Sequence, residues 1–218
     1  MGDRALFGFR INNTDKLFYT KYRGFPEKLG ISFLTYLRDT KTDQLYQYAQ
    51  QLKIYTEENA QQLDQEYREK YLKKNEDLIC QEDVCNNENK KCYRCYTSMC
   101  FIMPVFFQNT EYTFPYVENN IDWLSNSPIL EYAYIANLDT KIFELYSGSP
   151  YLPRKGRYAY LKPVYDDRNF GIRLLDELPM EKVKKMQDYA IEKYVEDISK
   201  LENSYREKRK RNRFYLFL

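Results

Sequence analysis

Short segments of the chain alternate apolar and polar residues, which is the pattern of half-buried β-strands. Residues 5–11 alternate loosely, residues 12–15 are turn formers, and residues 16–22 are rich in β-formers. Asn and Asp between two such runs favour a tight connection. The sequence therefore predicts that the chain opens with a β-hairpin.

The next segment, Arg23-Gly24-Phe25-Pro26, is typical of a turn. We expect Gly24 to take a positive φ, because glycine adopts that conformation at no steric cost. Proline restricts the residue before it to extended conformations, so Phe25 should be extended. A short helix is predicted over residues 29–38.

Two later segments, 42–74 and 180–212, lack Gly and Pro and repeat apolar residues at three- and four-residue steps. The first predicts a helix interrupted near Thr56. The second predicts a long amphipathic helix with one apolar stripe: Met186, Ala190, Tyr194, Ile198, Leu201 and Tyr205. We expect this stripe to pack on the chain's own sheet, with pairing to a second copy of the chain as the alternative.

Five further segments favour strands: 101–107, 131–138, 141–146, 157–164 and 170–174. Leu138–Lys141 is typical of a hairpin turn. The order of elements predicts a single α+β domain over residues 1–218, built on a mostly antiparallel sheet with a long C-terminal helix. Residues 42–100 are expected to form a helical, cysteine-bearing insertion.

The composition excludes several kinds of catalytic site. The chain has no histidine, which excludes Ser-His-Asp and Cys-His nucleophiles and metal sites built on imidazole. Its seven glycines form neither GxGxxG nor GxxxxGK[ST]. Asp122 with Asp139-Thr140-Lys141 comes nearest to the carboxylate pattern of a metal-dependent nuclease, but Asp139 and Lys141 fit a hairpin turn better. We therefore predict a protein that acts without catalysis.

All five cysteines lie within 21 residues, at Cys80, Cys85, Cys92, Cys95 and Cys100. Four thiolates suit tetrahedral zinc, so Cys80, Cys85, Cys92 and Cys95 are candidate ligands of a structural zinc ion. Their spacing departs from two paired CxxC motifs. Free reduced thiols and a redox or disulfide role are therefore open alternatives.

The net charge of +2 excludes a general nucleic-acid coat, so any nucleic-acid contact must be local. The candidate is the C-terminal stretch of Lys208, Arg209, Lys210, Arg211 and Arg213, followed by aromatic residues. It can contact phosphates and stack on bases. Alternatively, these cations complement the dipole at the end of a helix.

The N-terminal residues form no apolar signal region, and no apolar run approaches the roughly 18 residues that cross a bilayer. We expect a cytoplasmic protein that makes no membrane contact.

Two stretches near the N-terminus carry a family resemblance: Met1-Gly2-Asp3-Arg4 and Tyr22-Arg23-Gly24-Phe25-Pro26-Glu27-Lys28-Leu29-Gly30. They resemble the opening of uncharacterised phage and prophage proteins that begin M-G-T-R and continue with Y-x-x-D-G-Y-P-x-x-x-G. Asp3, Arg23 and Phe25 depart from that pattern. The resemblance implies a mobile-element setting and a hairpin, turn and helix start, but no reaction.

We therefore expect a phage or mobile-element protein that works in the cytoplasm of a host cell. It would inhibit a host defence factor, such as a nucleic-acid-guided nuclease, by stoichiometric binding to a host protein or ribonucleoprotein. Arg23, Phe25 and the basic C-terminal residues are the expected interaction residues. A nucleic-acid-binding regulator and an enzyme with an unrecognised site are the alternatives.

Overall fold

A computed structural model of the chain describes residues 4–20, 23–56, 58–59, 62, 116–118, 121–125, 130–148, 154–161 and 172–215. At residues 55, 116, 118 and 205–215 it describes the backbone alone. The predicted strand at 101–107 lies outside the described residues, as does most of the 42–100 insertion.

The described residues form seven strands and four α-helices. The strands are β1 Ala5–Ile11, β2 Thr14–Thr20, β3 Lys53–Tyr55, β4 Tyr116–Glu118, β5 Tyr132–Asn137, β6 Ile142–Ser147 and β7 Arg173–Pro179. The helices are α1 Ile31–Asp39, α2 Thr42–Gln51, α3 Met180–Lys184 and α4 Asp188–Tyr215. A π-helical turn, Pro26–Gly30, precedes α1, and a 3₁₀ turn spans Ile121–Ser125.

Five strands form the main sheet in the order β2-β1-β5-β6-β7. The β1–β5 pair is parallel and the other three pairs are antiparallel. The sheet is thus mixed and mostly antiparallel, which confirms the predicted α+β class. Strands β3 and β4 form a separate parallel pair.

Two hairpin turns close one end of the main sheet, and both were predicted. Asn12 and Asn13 take φ values of 51° and 59°, which asparagine tolerates better than most residues. In the β5–β6 turn, Lys141 takes a φ of 58°. The Asp139 carboxylate accepts the backbone N–H groups of Asn12 at 2.7 Å and Asn13 at 2.9 Å, so it joins the two turns.

The helices cover one face of the sheet, where the larger apolar core lies. Its buried members include Phe7, Phe33, Leu45 and Val195, from β1, α1, α2 and α4. The opposite face carries a smaller apolar core, covered by residues such as Leu124 and by the turn at 157–161. Helix α2 therefore contributes to the same core as the sheet.

Two lysines satisfy the carbonyl groups at the C-termini of α1 and α2, which helical hydrogen bonding leaves unpaired. The Nζ of Lys16 donates to the carbonyl oxygens of Ala49 at 2.8 Å and Leu52 at 2.5 Å. The Nζ of Lys184 donates to the carbonyls of Leu37 at 2.6 Å and Thr40. The cations thereby attach both helices to β2 and α3.

The predicted long C-terminal helix is confirmed as α4, but it is not continuous over 180–212, because the chain leaves helical geometry at residues 185–187. The buried stripe of α4 shares Ile198 with the predicted stripe, and its other members each lie one residue after a predicted position. Its members are Ile191, Val195, Ile198 and Glu202, while Leu201 is 36% exposed. The buried face of α4 therefore differs from the predicted one, and α4 still packs on the core of its own chain.

Three other predicted elements differ from the structure. The helix beginning at residue 42 ends at Gln51, before β3, while residues 63–74 lie outside the description. The strand predicted over 157–164 is a turn in its described part. The strand predicted over 170–174 begins at Arg173 and continues to Pro179.

No helix within the described ranges is both long and apolar enough to cross a membrane.

We predict that Gly8→Ala lowers the free energy of unfolding by at least about 2 kcal/mol. A Cβ at Gly8 would lie 2.2 Å from the backbone carbonyl oxygen of Lys16, and a paired strand cannot easily move away. Urea denaturation followed by circular dichroism measures the change.

Gly30→Ala is the matched control. Its nearest contact is a tyrosine ring carbon at 3.1 Å, and its φ of −59° suits alanine. Equal losses for the two variants would contradict the proposed role of the Gly8 contact.

Candidate interaction surface

The turn over Arg23–Pro26 places two predicted interaction residues on the surface. Arg23 is exposed, and Phe25 is 38% exposed and extended as predicted. Between them, the buried Gly24 carbonyl accepts a hydrogen bond of 2.8 Å from the hydroxyl of Tyr134. Burial raises the pKa of Tyr134 well above its usual value, so the hydroxyl remains a donor. The turn is thus fixed to the centre of the sheet.

The prediction of a positive φ at Gly24 is wrong. In this turn the left-handed conformation belongs to Arg23, whose φ is 57°. Gly24 instead contributes a buried carbonyl. The strain of the turn therefore falls on a residue whose side chain is exposed.

Helix α4 lies beside this turn and is attached to the sheet through a buried carboxylate. Ser199 Oγ donates to Glu27 Oε1 at 2.5 Å, next to the turn. One α4 turn later, Glu202 accepts hydrogen bonds from the hydroxyls of Tyr132 and Ser147, the latter at 3.0 Å. Tyr132 and Ser147 are the last register pair of the β5–β6 ladder. Glu202 therefore fixes α4 at the end of the sheet.

The helical backbone continues for 13 residues beyond Glu202, which corresponds to about 20 Å. This continuation carries all the predicted basic residues, together with Arg206: Lys208, Arg209, Lys210, Arg211 and Arg213. We call residues 206–213 the basic segment. Positions 206, 209 and 213 continue the face that Ile198 and Glu202 define, at steps of three and four residues.

Other cations reach the same end of the sheet from separate parts of the chain. Arg4 precedes β1, Arg23 follows β2, and Arg173 opens β7 beside Ser147. Lys155 forms an isolated bridge with Arg173. Because all these strand termini lie at one edge, the topology brings these residues together.

We call this set, with the basic segment, the basic end. Arg23 and Lys155 are exposed, and Arg4 is half-buried. Among the acidic residues of this end, Glu27 and Glu202 accept hydrogen bonds from side chains as described above, and Glu207 lies within the basic segment itself.

The candidate zinc ligands Cys80, Cys85, Cys92 and Cys95 lie outside the described residues. Within the described ranges, no three His, Cys, Asp or Glu side chains are grouped as a metal site. The zinc hypothesis therefore stays a prediction.

A second polar cluster, which the sequence did not indicate, lies on the sheet face opposite the helices. The Asp15 carboxylate is 4% exposed and accepts hydrogen bonds from Arg10 at 2.8 Å, Arg157 at 2.9 Å and Tyr158 at 2.7 Å. The second Nη of Arg157 binds Glu144 at 2.7 Å. The arginine thus bridges two buried carboxylates.

The same cluster contains further donors to Glu144. The hydroxyl of Tyr146 donates at 2.8 Å and the amide of Asn137 at 2.7 Å. Burial, more than the neighbouring carboxylates, raises the pKa of both Tyr146 and Tyr158, which keeps the phenols protonated. Both carboxylates are thereby supplied with donors, so the cluster holds the turn at 157–161 on the sheet.

No protein-family model, curated protein or solved structure matches this chain.

We predict that Asp15→Asn destabilises the fold by about 3 kcal/mol, because it leaves two partly buried guanidinium groups without their shared anion. Urea denaturation measures the loss. Asp197→Asn is the control, since its side chain is 60% exposed and its ion pair with Lys200 spans 4.0 Å. A change below about 0.5 kcal/mol is expected there. Equal effects would show that the cluster contributes no special stability.

Proposed function

We propose that this protein acts by stoichiometric binding to a partner macromolecule, without catalytic turnover. The observation that carries the proposal is the turn at 23–25, in which exposed Arg23 and partly exposed Phe25 flank a buried carbonyl. Arginine and large aromatic side chains dominate the energetics of many protein interfaces.

The construction of this turn favours binding. The hydrogen bond from the Tyr134 hydroxyl to the Gly24 carbonyl fixes the backbone of the turn to the sheet. The hydrogen bond between Ser199 and Glu27 fixes the following residues against α4. Binding by a surface that is already ordered loses less conformational entropy. Arg23 and Phe25 can therefore act as preformed anchors.

Four carboxylates of the described residues accept hydrogen bonds that hold the fold together. Asp139 joins two hairpin turns, and Asp15 and Glu144 share Arg157. Glu202 attaches α4 to the sheet. A general base needs a lone pair directed at substrate, whereas these groups accept hydrogen bonds within the fold. Their arrangement supports a structural role over a catalytic one.

The partner that we propose is a host defence factor, by analogy with phage accessory proteins of this size that lack catalytic residues and inhibit host immunity by occupying a surface. A nucleic-acid-guided nuclease would offer a protein surface to Phe25 and phosphates to the neighbouring basic end. The nearly neutral net charge of +2 also suits a specific partner better than a general polyanion.

We predict that Phe25→Ala weakens the complex at least about tenfold, which corresponds to about 1.4 kcal/mol. Affinity capture from nuclease-treated bacterial lysate identifies the partner, and calorimetric titration of the two purified proteins gives affinity and stoichiometry. Arg23→Asn should also weaken binding while it tolerates the positive φ.

Tyr189→Ala is the matched control, because Tyr189 is 67% exposed and lies in the first turn of α4, beside Asp188 and away from the turn. It should leave affinity unchanged. Inhibition of the partner at strongly substoichiometric ratios, persisting after removal of the protein, would instead identify an enzyme.

A further inference from the structure

We infer that the basic end is a nucleic-acid-binding surface that contacts the sugar–phosphate backbone of RNA or DNA. The inference rests on the proposed binding function and assigns a ligand class to one part of its surface. It is carried by the convergence of cations from five separate parts of the chain at one edge of the sheet.

Positive charge is concentrated at this edge. Residues 203–215 include six cations and one acid, so they carry +5, while the whole chain carries +2. The remainder of the chain therefore carries −3. Exposed charges act over about one Debye length, roughly 10 Å at 0.1 M salt, so a polyanion that reaches the basic segment is attracted to it.

The cations of the basic end are mainly arginines. Arg4, Arg23 and Arg173 join four arginines of the basic segment, against Lys155 and two lysines of that segment. Across the whole chain the balance is reversed, with 20 lysines and 14 arginines. Guanidinium groups bind phosphate with two parallel hydrogen bonds, so this enrichment favours a phosphate ligand.

The face of α4 changes its character where the sheet ends. Up to Glu202 this face carries Ile191, Val195 and Ile198, all buried in the core. Beyond Glu202 the same face carries arginine at 206, 209 and 213. Continued packing on a core would require apolar residues there. Attraction to the helix dipole accounts only for cations in the last turn, whereas the basic segment spans about two turns.

Aromatic residues are also found at this edge of the sheet, near the end of β2. Phe25 is partly exposed, and Trp123 stacks on Tyr19 of β2 with ring centroids 4.8 Å apart, one residue from the strand terminus. Bases stack on aromatic rings with little sequence preference. Cations and rings together suit a single strand more than a smooth anionic surface.

The test is fluorescence anisotropy of the full chain with a labelled 20-nucleotide RNA and the DNA of the same sequence, between 50 and 200 mM NaCl. We expect log affinity to fall linearly with log salt. Arg206→Gln/Arg209→Gln/Arg213→Gln should reduce the slope by about 2, because each single-strand phosphate contact contributes about 0.7. Glutamine retains helix propensity, so circular dichroism should be unchanged.

The control is Lys182→Gln/Lys185→Gln/Lys193→Gln, which removes three exposed charges from α3, the break after it and the start of α4. It should leave the slope unchanged. If the α4 variant unfolds, Arg23→Asn/Lys155→Gln replaces it and should reduce the slope by about 1.

Several results would overturn the inference. They are absence of binding to either strand at 50 mM salt, an unchanged slope in the α4 variant, and equal competition by polyglutamate. Binding to phosphatidylserine vesicles without binding to RNA or DNA would also overturn it and would indicate a membrane surface. Loss of nucleic-acid binding with a retained Phe25-dependent protein complex would refute this inference alone.

Discussion

The placement of α4 depends on one buried carboxylate. Glu202 is 3% exposed, and a carboxylate at such a site is costly unless donors satisfy it. Tyr132 and Ser147 supply those donors from paired positions of neighbouring strands. Because the pair is the last of its ladder, α4 is fixed at the edge of the sheet. Its continuation, the basic segment, therefore begins where the sheet ends.

The two faces of the sheet are covered by different kinds of side chain. The helical face is covered by amphipathic helices whose C-termini are satisfied by Lys16 and Lys184. The opposite face has less apolar cover, and part of it is closed by Arg157, which reaches both Asp15 and Glu144. We expect the ion-paired cluster on this face to be more sensitive to substitution than the apolar core, because removal of one charge leaves a buried charge without its partner.

The sequence predicted the elements whose cause is local and missed those whose cause is distant. Asn12 and Asn13 specify their own hairpin, so β1 and β2 were predictable. The break before α4 was not predictable, because no Gly or Pro marks it. The hydrogen bond between Tyr132 and Glu202 was not predictable either, because the two residues are distant in sequence. The Arg157–Asp15 pair joins residues 142 apart, which no periodicity reveals. Phe25 is extended as predicted, whereas Gly24 does not take the predicted positive φ.

The strand order determines which surface the protein can offer a partner. A parallel β1–β5 pair between antiparallel neighbours puts the starts of β1, β5 and β7 and the ends of β2 and β6 at one edge. Segments that enter or leave there place Arg4, Arg23 and Lys155 at the edge to which Glu202 fixes α4. If β1 and β5 were antiparallel, the start of β1, and Arg4 with it, would lie at the opposite edge of the sheet from the start of β5. The topology thus adds cations from separate parts of the chain to the positive charge that the basic segment already carries in its sequence.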